Sequence, residues 1–172
     1  MTSSAEVPAG STCLLDTNVL LYAHQRASDS ASRLLRRCAA SDIIGILPST
    51  VWEELCHRLM LAEALATGRV TGPNPARKLA ECPEVVRDLA AYRGSLAELA
   101  ATGLRFEPVT REDVLRGAVD LQRRYGLLTN DSLLVAVARR INCEAIATAD
   151  KAFTNLKGLL IYGPSDLQDW PA

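Results

Sequence analysis

Residues 12–23 of the chain read TCLLDTNVLLYA, and they predict a strand that is followed directly by a helix. The apolar run at 12–15 is short and continuous, as is typical of a buried strand. Asp16 ends the run, and the apolar spacing of the residues after it predicts a helix capped by Thr17 or Asn18. A buried strand that passes at once into a helix is the repeating unit of an α/β fold.

The rest of the chain repeats this alternation of apolar runs and helical spacing. Further strands are predicted at 43–47, 105–109, 144–148 and 159–162, with helices between them. Strands that alternate with helices predict an α/β sandwich with a mainly parallel central sheet.

Two segments stand outside this alternation. Residues 66–103 contain breaks, including Pro83 and Gly94, and are predicted to form a helical hairpin inserted into the fold. Residues 1–11 are small and polar and predict a flexible N-terminal tail without the basic start of a signal peptide. Residues 12–172 are then expected to form a single domain.

The composition is that of an ordinary globular protein. Of the 172 residues 48% are hydrophobic and 23% are charged, which suits one compact domain with a substantial core. No apolar run approaches the roughly 20 residues needed to cross a membrane. The net charge of −1 gives no overall field that attracts nucleic acid, so a polyanionic partner would need a local basic patch.

The cysteine pattern indicates a reducing environment. The five cysteines are odd in number and contain no C-x-x-C pair, so they predict neither a disulfide framework nor a zinc site. We expect them to be buried, reduced and structural, and the protein to be cytoplasmic.

Four acidic residues occupy comparable places along the chain: Asp16, Glu54, Asp131 and Asp150. Each follows a predicted strand or lies in the first turn of a predicted helix. Ligands of parallel sheets collect beyond the carboxyl ends of the strands, so these side chains are expected to converge. An all-oxygen pocket suits Mg²⁺ or Mn²⁺, with one ion or two, and a metal-dependent phosphodiesterase is the leading interpretation.

Taken singly, each acid has a simpler explanation. An Asp before Thr-Asn is often only a turn or a helix cap, and Asp131 or Asp150 in a first turn can merely complement the helix dipole. Glu54 also has an acidic neighbour, Glu53. The prediction therefore depends on all four positions together.

Four segments give the chain a resemblance to a known family. They are LLDTNVLLY at 14–22, PSTVWEEL at 48–55, NDSLLVA at 130–136 and IATADKAF at 146–153. Together they resemble the acidic motifs of the PIN domain, and among PIN domains the small VapC-type proteins. The similarity spans about 12–164, with 66–103 less typical, and the second motif favours Glu54 over Glu53.

The resemblance implies a PIN-like α/β/α sandwich and a Mg²⁺- or Mn²⁺-dependent endoribonuclease that leaves 3′-hydroxyl and 5′-phosphate ends. Such proteins are often the toxin of a toxin–antitoxin pair and are commonly homodimers. Asp16, Asp131 and Asp150 resemble the family's metal ligands. Glu54 would hold metal or water, and Asn18 would orient an acid.

Two other functions are compatible with the sequence. A phosphatase-like α/β hydrolase could use Asp16 as its nucleophile, although Asn18 stands where such enzymes usually have a second Asp. A non-catalytic interaction module would use the acids only to bind metal or cap helices. Three arginine pairs are candidates for RNA phosphate contacts: Arg36-Arg37, Arg123-Arg124 and Arg139-Arg140.

Overall fold

The central element is one sheet of six strands, in the order β1-β6-β5-β2-β3-β4. The computed structural model describes residues 2–167; Met1 and residues 168–172 lie outside the described part. All strand pairings in that part are parallel. The strands are β1 (Thr2–Ser3), β2 (Thr12–Leu15), β3 (Ile44–Pro48), β4 (Arg105–Glu107), β5 (Ala145–Ala147) and β6 (Leu160–Gly163).

Between residues 2 and 167, eight α-helices flank this sheet and connect its strands. They are α1 (Thr17–His24), α2 (Asp29–Ala39), α3 (Ser49–Ala66), α4 (Pro75–Ala80), α5 (Pro83–Asp88), α6 (Ala91–Ala100), α7 (Val119–Tyr125) and α8 (Thr129–Arg140). A π-helical segment, Asp113–Ala118, leads directly into α7, and short 3-10 turns lie at Ser4–Glu6 and Lys151–Asn155. The predicted α/β fold with its parallel sheet is confirmed. None of the described helices is long and apolar enough to cross a membrane.

The N-terminal segment differs from the flexible tail predicted for residues 1–11. Thr2 pairs with Tyr162 and Ser3 with Gly163, so β1 forms an edge of the sheet. Val7 is buried at 1% exposure. Arg37 fixes the segment further, because its guanidinium donates to the carbonyls of Ala5 and Val7.

Two helix starts also differ from their predictions. Asp16, and not Thr17 or Asn18, caps α1, since its Oδ1 accepts a hydrogen bond from the Thr17 amide at 2.6 Å. For α8 the sequence predicts Thr129 or Asn130 as the cap, but the cap position is Leu128, whose side chain makes no capping bond. Asp16 therefore has a second role in the local fold, besides its place at the end of β2.

The insertion at 66–103 contains three short helices and not the predicted hairpin. Pro83 begins α5, as its fixed φ favours, but Gly94 lies inside α6 and does not break it. The Glu63 carboxylate of α3 accepts from the amides of Ala90, Ala91 and Tyr92 at 2.8–3.0 Å and so caps α6. A small apolar cluster lies beneath these helices: Ala64, Val70, Leu79 and Leu89.

A buried charge network joins β4, the π-helical segment and α8. The Arg140 guanidinium donates to both carboxylate oxygens of Asp113, at 2.9 and 3.1 Å, and to Glu107 Oε1 at 2.9 Å. The Asp113 and Glu107 side chains are only 3% and 10% exposed. Asp113 also accepts from the backbone and the hydroxyl of Thr110, and its own amide donates to Thr110 Oγ1, which makes a capping box with Asp in place of the usual Glu. Arg140 is therefore a structural residue.

The cysteines are all free. Cys13, Cys38 and Cys143 are buried, as predicted, whereas Cys56 and Cys82 are only partly buried. Burial raises the pKa of the Cys38 thiol to about 11 and also raises that of Cys143, which keeps both as protonated, small apolar groups.

Candidate active site

Asp16 lies at the carboxyl end of β2, in the middle of the sheet. β2 pairs with β5 on one side, and the Asp16 amide continues that ladder by donating to the Ala147 carbonyl at 2.9 Å. The second carboxylate oxygen of Asp16 accepts from the Thr148 hydroxyl at 2.7 Å. Burial raises the pKa of the Asp16 carboxyl, and the negative charges of Glu54 and Asp150 act in the same direction.

Asp150 is placed by the same threonine. Its amide donates to Thr148 Oγ1 at 3.0 Å, and its own Oδ1 accepts from the Ala152 amide at 2.8 Å. Thr148 is fully buried. Through these two hydrogen bonds its hydroxyl connects the ends of the neighbouring strands β2 and β5. Thr148 was not among the predicted site residues. Its place in the fourth motif, two residues before Asp150, is the feature of the sequence that could have identified it.

Glu54 lies in the second turn of α3, one turn later than predicted, and Asp131 lies in the first turn of α8. The Glu54 carboxylate lies between two partners: Asn130 donates to Oε2 at 3.1 Å, and Arg58 Nη1 lies 3.5 Å from Oε1. The same Arg58 nitrogen donates to Asn18 Oδ1 at 2.7 Å. Arg58 therefore contacts two of the predicted site residues, a tertiary contact that the sequence does not show.

Asp131 has the clearest electrostatic signature of the group. Partial burial, followed by the negative charges of Asp150, Asp16 and Glu54, raises the pKa of its carboxyl to about 6. An opposing contact with the Leu128 backbone only partly offsets these effects. The charges of Asp150, Asp16 and Glu54 therefore reach the Asp131 carboxyl across a common space.

This space is a cleft of about 520 Å³ at the carboxyl edge of the sheet. All five predicted site residues line it, whereas Glu53 is exposed and does not. The full lining is Asp16, Asn18, Thr50, Val51, Glu54, Leu128, Thr129, Asn130, Asp131, Leu134 and Asp150. The convergence expected from the strand ends is thus present.

The donor set fits a hard divalent cation. Among residues 2–167, no three His, Cys, Asp or Glu side chains are grouped tightly enough to enclose an ion as they stand. Mg²⁺, however, usually keeps several waters and takes only one or two carboxylates, so an open cleft with mutually repelling acids suits it. Burial and the neighbouring carboxylates raise the pKa of Asp131, and a bound cation would oppose both effects; the contacts of Arg58 reach Glu54 and Asn18.

Comparison with known proteins places the chain in a family. The model of the PIN domain matches residues 13–159, well over half of the chain. No curated protein sequence gives a significant match.

Two solved structures share the fold. One is VapBC2 from Rickettsia felis bound to a DNA fragment from its promoter, with a TM-score of 0.57 and 17% identity over 88% of this chain and 98% of that one. The other is a toxin–antitoxin complex from Klebsiella pneumoniae, with a TM-score of 0.52 and 17% identity over 86% and 95%. The chain belongs to the PIN domain family, whose members are typically metal-dependent nucleases.

Proposed function

We propose that the protein is a Mg²⁺- or Mn²⁺-dependent endoribonuclease that hydrolyses RNA phosphodiester bonds. The observation that carries the proposal is the shared cleft, which Asp16, Glu54, Asp131 and Asp150 line together and in which the pKa values of Asp16 and Asp131 are raised. Such a cleft repels a polyanion unless cations neutralise it, and divalent ions with oxygen ligands supply that neutralisation.

In this proposal Asp16, Asp131 and Asp150 hold one or two ions. A bound ion would act as a Lewis acid on the phosphate and its attacking water. Thr148 keeps Asp16 and Asp150 in register, since it donates to the first and accepts from the amide of the second.

Glu54 and Asn18 hold the other side of the cleft. Glu54 is fixed by Asn130 and Arg58, which leaves its carboxylate pointed at the cleft and able to orient water or metal. Asn18 accepts from Arg58 through its carbonyl oxygen, so its amide hydrogens are free to donate to a neighbouring acid. By the family's chemistry, the products would carry 3′-hydroxyl and 5′-phosphate ends.

We further propose that the nuclease is the VapC-type toxin of a toxin–antitoxin pair, cytoplasmic and homodimeric. The two solved structures described above are of toxin–antitoxin complexes. A second groove of about 630 Å³ runs between α1, α2, α3 and α6 and contains Leu20, Leu35, Leu59 and Leu99. An amphipathic antitoxin helix could dock in such a groove. Light scattering of the purified protein tests the dimer, and co-purification with an adjacently encoded protein tests the antitoxin.

The deciding experiment is cleavage of a mixed pool of structured RNA by purified protein with Mg²⁺, Mn²⁺ or EDTA. Asp16→Asn and Asp131→Asn should abolish the cuts while the fold remains, because each removes charge with little change in volume. Asp120→Asn is the matched control, since Asp120 is exposed on α7 and does not line the cleft.

The same preparations distinguish the two alternative functions. Turnover of a phosphomonoester that requires only Asp16 would favour the phosphatase-like hydrolase. Absence of any cleavage or turnover with either metal would favour an interaction module, and the acids would then be structural.

A further inference from the structure

A basic and aromatic cluster lies outside the acidic cleft. It consists of Arg124, Tyr125, Arg139 and Lys157, here called the Tyr125 patch. The guanidinium carbons of Arg124 and Arg139 lie 5.6 and 5.7 Å from the centre of the Tyr125 ring, within the range of a cation–π contact. Arg124, Arg139 and Lys157 are exposed, and the tyrosine is partly buried between them.

The positive charges of this patch lack acidic partners. Within residues 2–167, neither Arg124 nor Arg139 nor Lys157 forms a salt bridge, although Arg37, Arg58 and Arg140 all do. The pKa of the Tyr125 hydroxyl is lowered, first by polar contact with Arg139 and then by the charges of Arg124, Arg139 and Lys157. In a protein of net charge −1, such a concentration of positive charge is a local feature.

The patch adjoins the cleft along two segments of the chain. Tyr125 precedes the cleft residue Leu128 by three positions, which places their Cα atoms within about 11 Å of each other. Asp131 and Arg139 lie on the same helix, α8, eight residues and about 12 Å apart. The Arg139 guanidinium lies over the Tyr125 ring, so the two segments meet in the patch.

We propose that the Tyr125 patch binds single-stranded RNA next to the phosphate held in the cleft, with Arg124, Arg139 and Lys157 on flanking phosphates and Tyr125 against a base. The inference rests on the proposed nuclease function and extends it to the class of substrate. An acidic cleft cannot supply the electrostatic affinity that nucleic-acid binding requires, so that affinity must come from a separate basic surface. An aromatic ring between guanidiniums adds stacking that tolerates any base.

Binding is measured first, in EDTA, so that the readout does not depend on cleavage. The probe is a short fluorescent single-stranded RNA of mixed sequence, titrated by anisotropy at several salt concentrations. Loss of two phosphate contacts in the Arg124→Ala/Arg139→Ala double variant should reduce the slope of log affinity against log salt by about 1.4. Tyr125→Ala should weaken binding about tenfold, and Tyr125→Phe should retain it because the ring remains.

The matched control is Arg33→Ala/Arg111→Ala, which removes the same charge from exposed positions outside the patch and the cleft. Thermal unfolding of each variant verifies that the fold is intact. In cleavage assays with Mg²⁺ or Mn²⁺, the patch variants should raise KM far more than they lower kcat, and the control should change neither.

The outcomes separate this proposal from the nuclease assignment. If the wild type cleaves RNA and the patch and control variants bind RNA with equal affinity, the patch is not an RNA-binding site and the nuclease assignment stands. The patch would then be free for an acidic protein partner. Patch-dependent RNA binding without cleavage supports the patch and counts against the nuclease. A wild-type protein that binds no RNA in EDTA overturns the patch, and the nuclease assignment is then decided by cleavage with Mg²⁺ or Mn²⁺.

Discussion

Thr148 donates its hydroxyl hydrogen to Asp16 across the gap between two strands, with an oxygen–oxygen distance of 2.7 Å. The same hydroxyl oxygen accepts from the Asp150 amide. One buried side chain therefore sets the relative positions of two acids that lie 134 residues apart in the sequence. Groups that orient ligands in this way are often as important to a metal site as the ligands themselves.

Replacing Thr148 by Val should therefore impair the site while the shape of the core is retained. Asp16 loses a hydrogen bond that favours its ionised form, and the Asp150 amide loses its acceptor. We expect metal affinity and cleavage to fall about 10- to 100-fold. Isothermal titration calorimetry with Mn²⁺ measures the metal affinity, and gel assays measure the cleavage. Thr148→Ser keeps the hydroxyl and serves as the control; equal losses in both variants would assign the effect to packing.

The raised pKa of Asp131 predicts that the stability and the activity of the protein both depend on pH. Its folded pKa of about 6 lies above the ordinary 3.8, so the folded state binds the proton more tightly than the unfolded state does. The free energy of unfolding of the metal-free protein should therefore fall as pH rises from about 4 to 6. Because the side chain is only half-buried, we expect a loss of about 1–2 kcal/mol.

The matching variant is Asp131→Asn, which cannot ionise. Without metal it should melt a few degrees above wild type at neutral pH, and the difference should vanish in acid. Cleavage by the wild type should decline below about pH 6, as Asp131 takes up its proton and metal affinity falls. A wild-type melting temperature independent of pH over this range would contradict the assignment.

Arg140 should be the most sensitive arginine for stability. Arg140→Ala leaves the buried carboxylates of Asp113 and Glu107 without their partner, and breaking such a buried pair costs about 3–5 kcal/mol. Urea unfolding monitored by circular dichroism measures this loss. Its neighbour Arg139 has no carboxylate partner in the described residues, so Arg139→Ala should change stability by less than about 0.5 kcal/mol.

Glu63 should control the inserted helices independently of the cleft. Its carboxylate caps α6 through three backbone amides, and these hydrogen bonds lower the pKa of the Glu63 carboxyl against the opposing effect of its burial. Glu63→Ala should destabilise α6 by about 1 kcal/mol, as loss of a helix cap does. Hydrogen exchange should then speed up across 91–100 and remain unchanged in the amides of β2 and β5. Uniform acceleration would show instead that the insertion and the sheet unfold together.

The sequence predicted most of the sheet because its central strands are buried on both faces. Such strands appear as short apolar runs, and the runs around Leu14 and Ile146 were assigned correctly. β1 was missed because a strand of two residues has no detectable periodicity. Gly94 was read as a helix break, but a single glycine costs a helix only about 1 kcal/mol, which packing can offset.

The sequence predicted the four acids of the site but not Thr148 and Arg58, the residues that hold the site residues in place. The sequence predicted the four acids because each follows a predicted strand or lies near the start of a predicted helix. Those places meet at one edge of a parallel sheet. The contacts of Thr148 and Arg58 depend on side chains from different elements approaching each other. Contacts between distant parts of the chain leave no local pattern in the sequence.

The parallel register of β2 with β5 also governs when the cleft can exist during synthesis. Cys13 pairs with Ala145, so the strand that carries Asp16 acquires this neighbour only after most of the chain has left the ribosome. A growing chain shorter than about 150 residues lacks Asp150 and has no assembled acidic cleft. A fragment that ends before this point therefore lacks the complete set of acids that line the cleft.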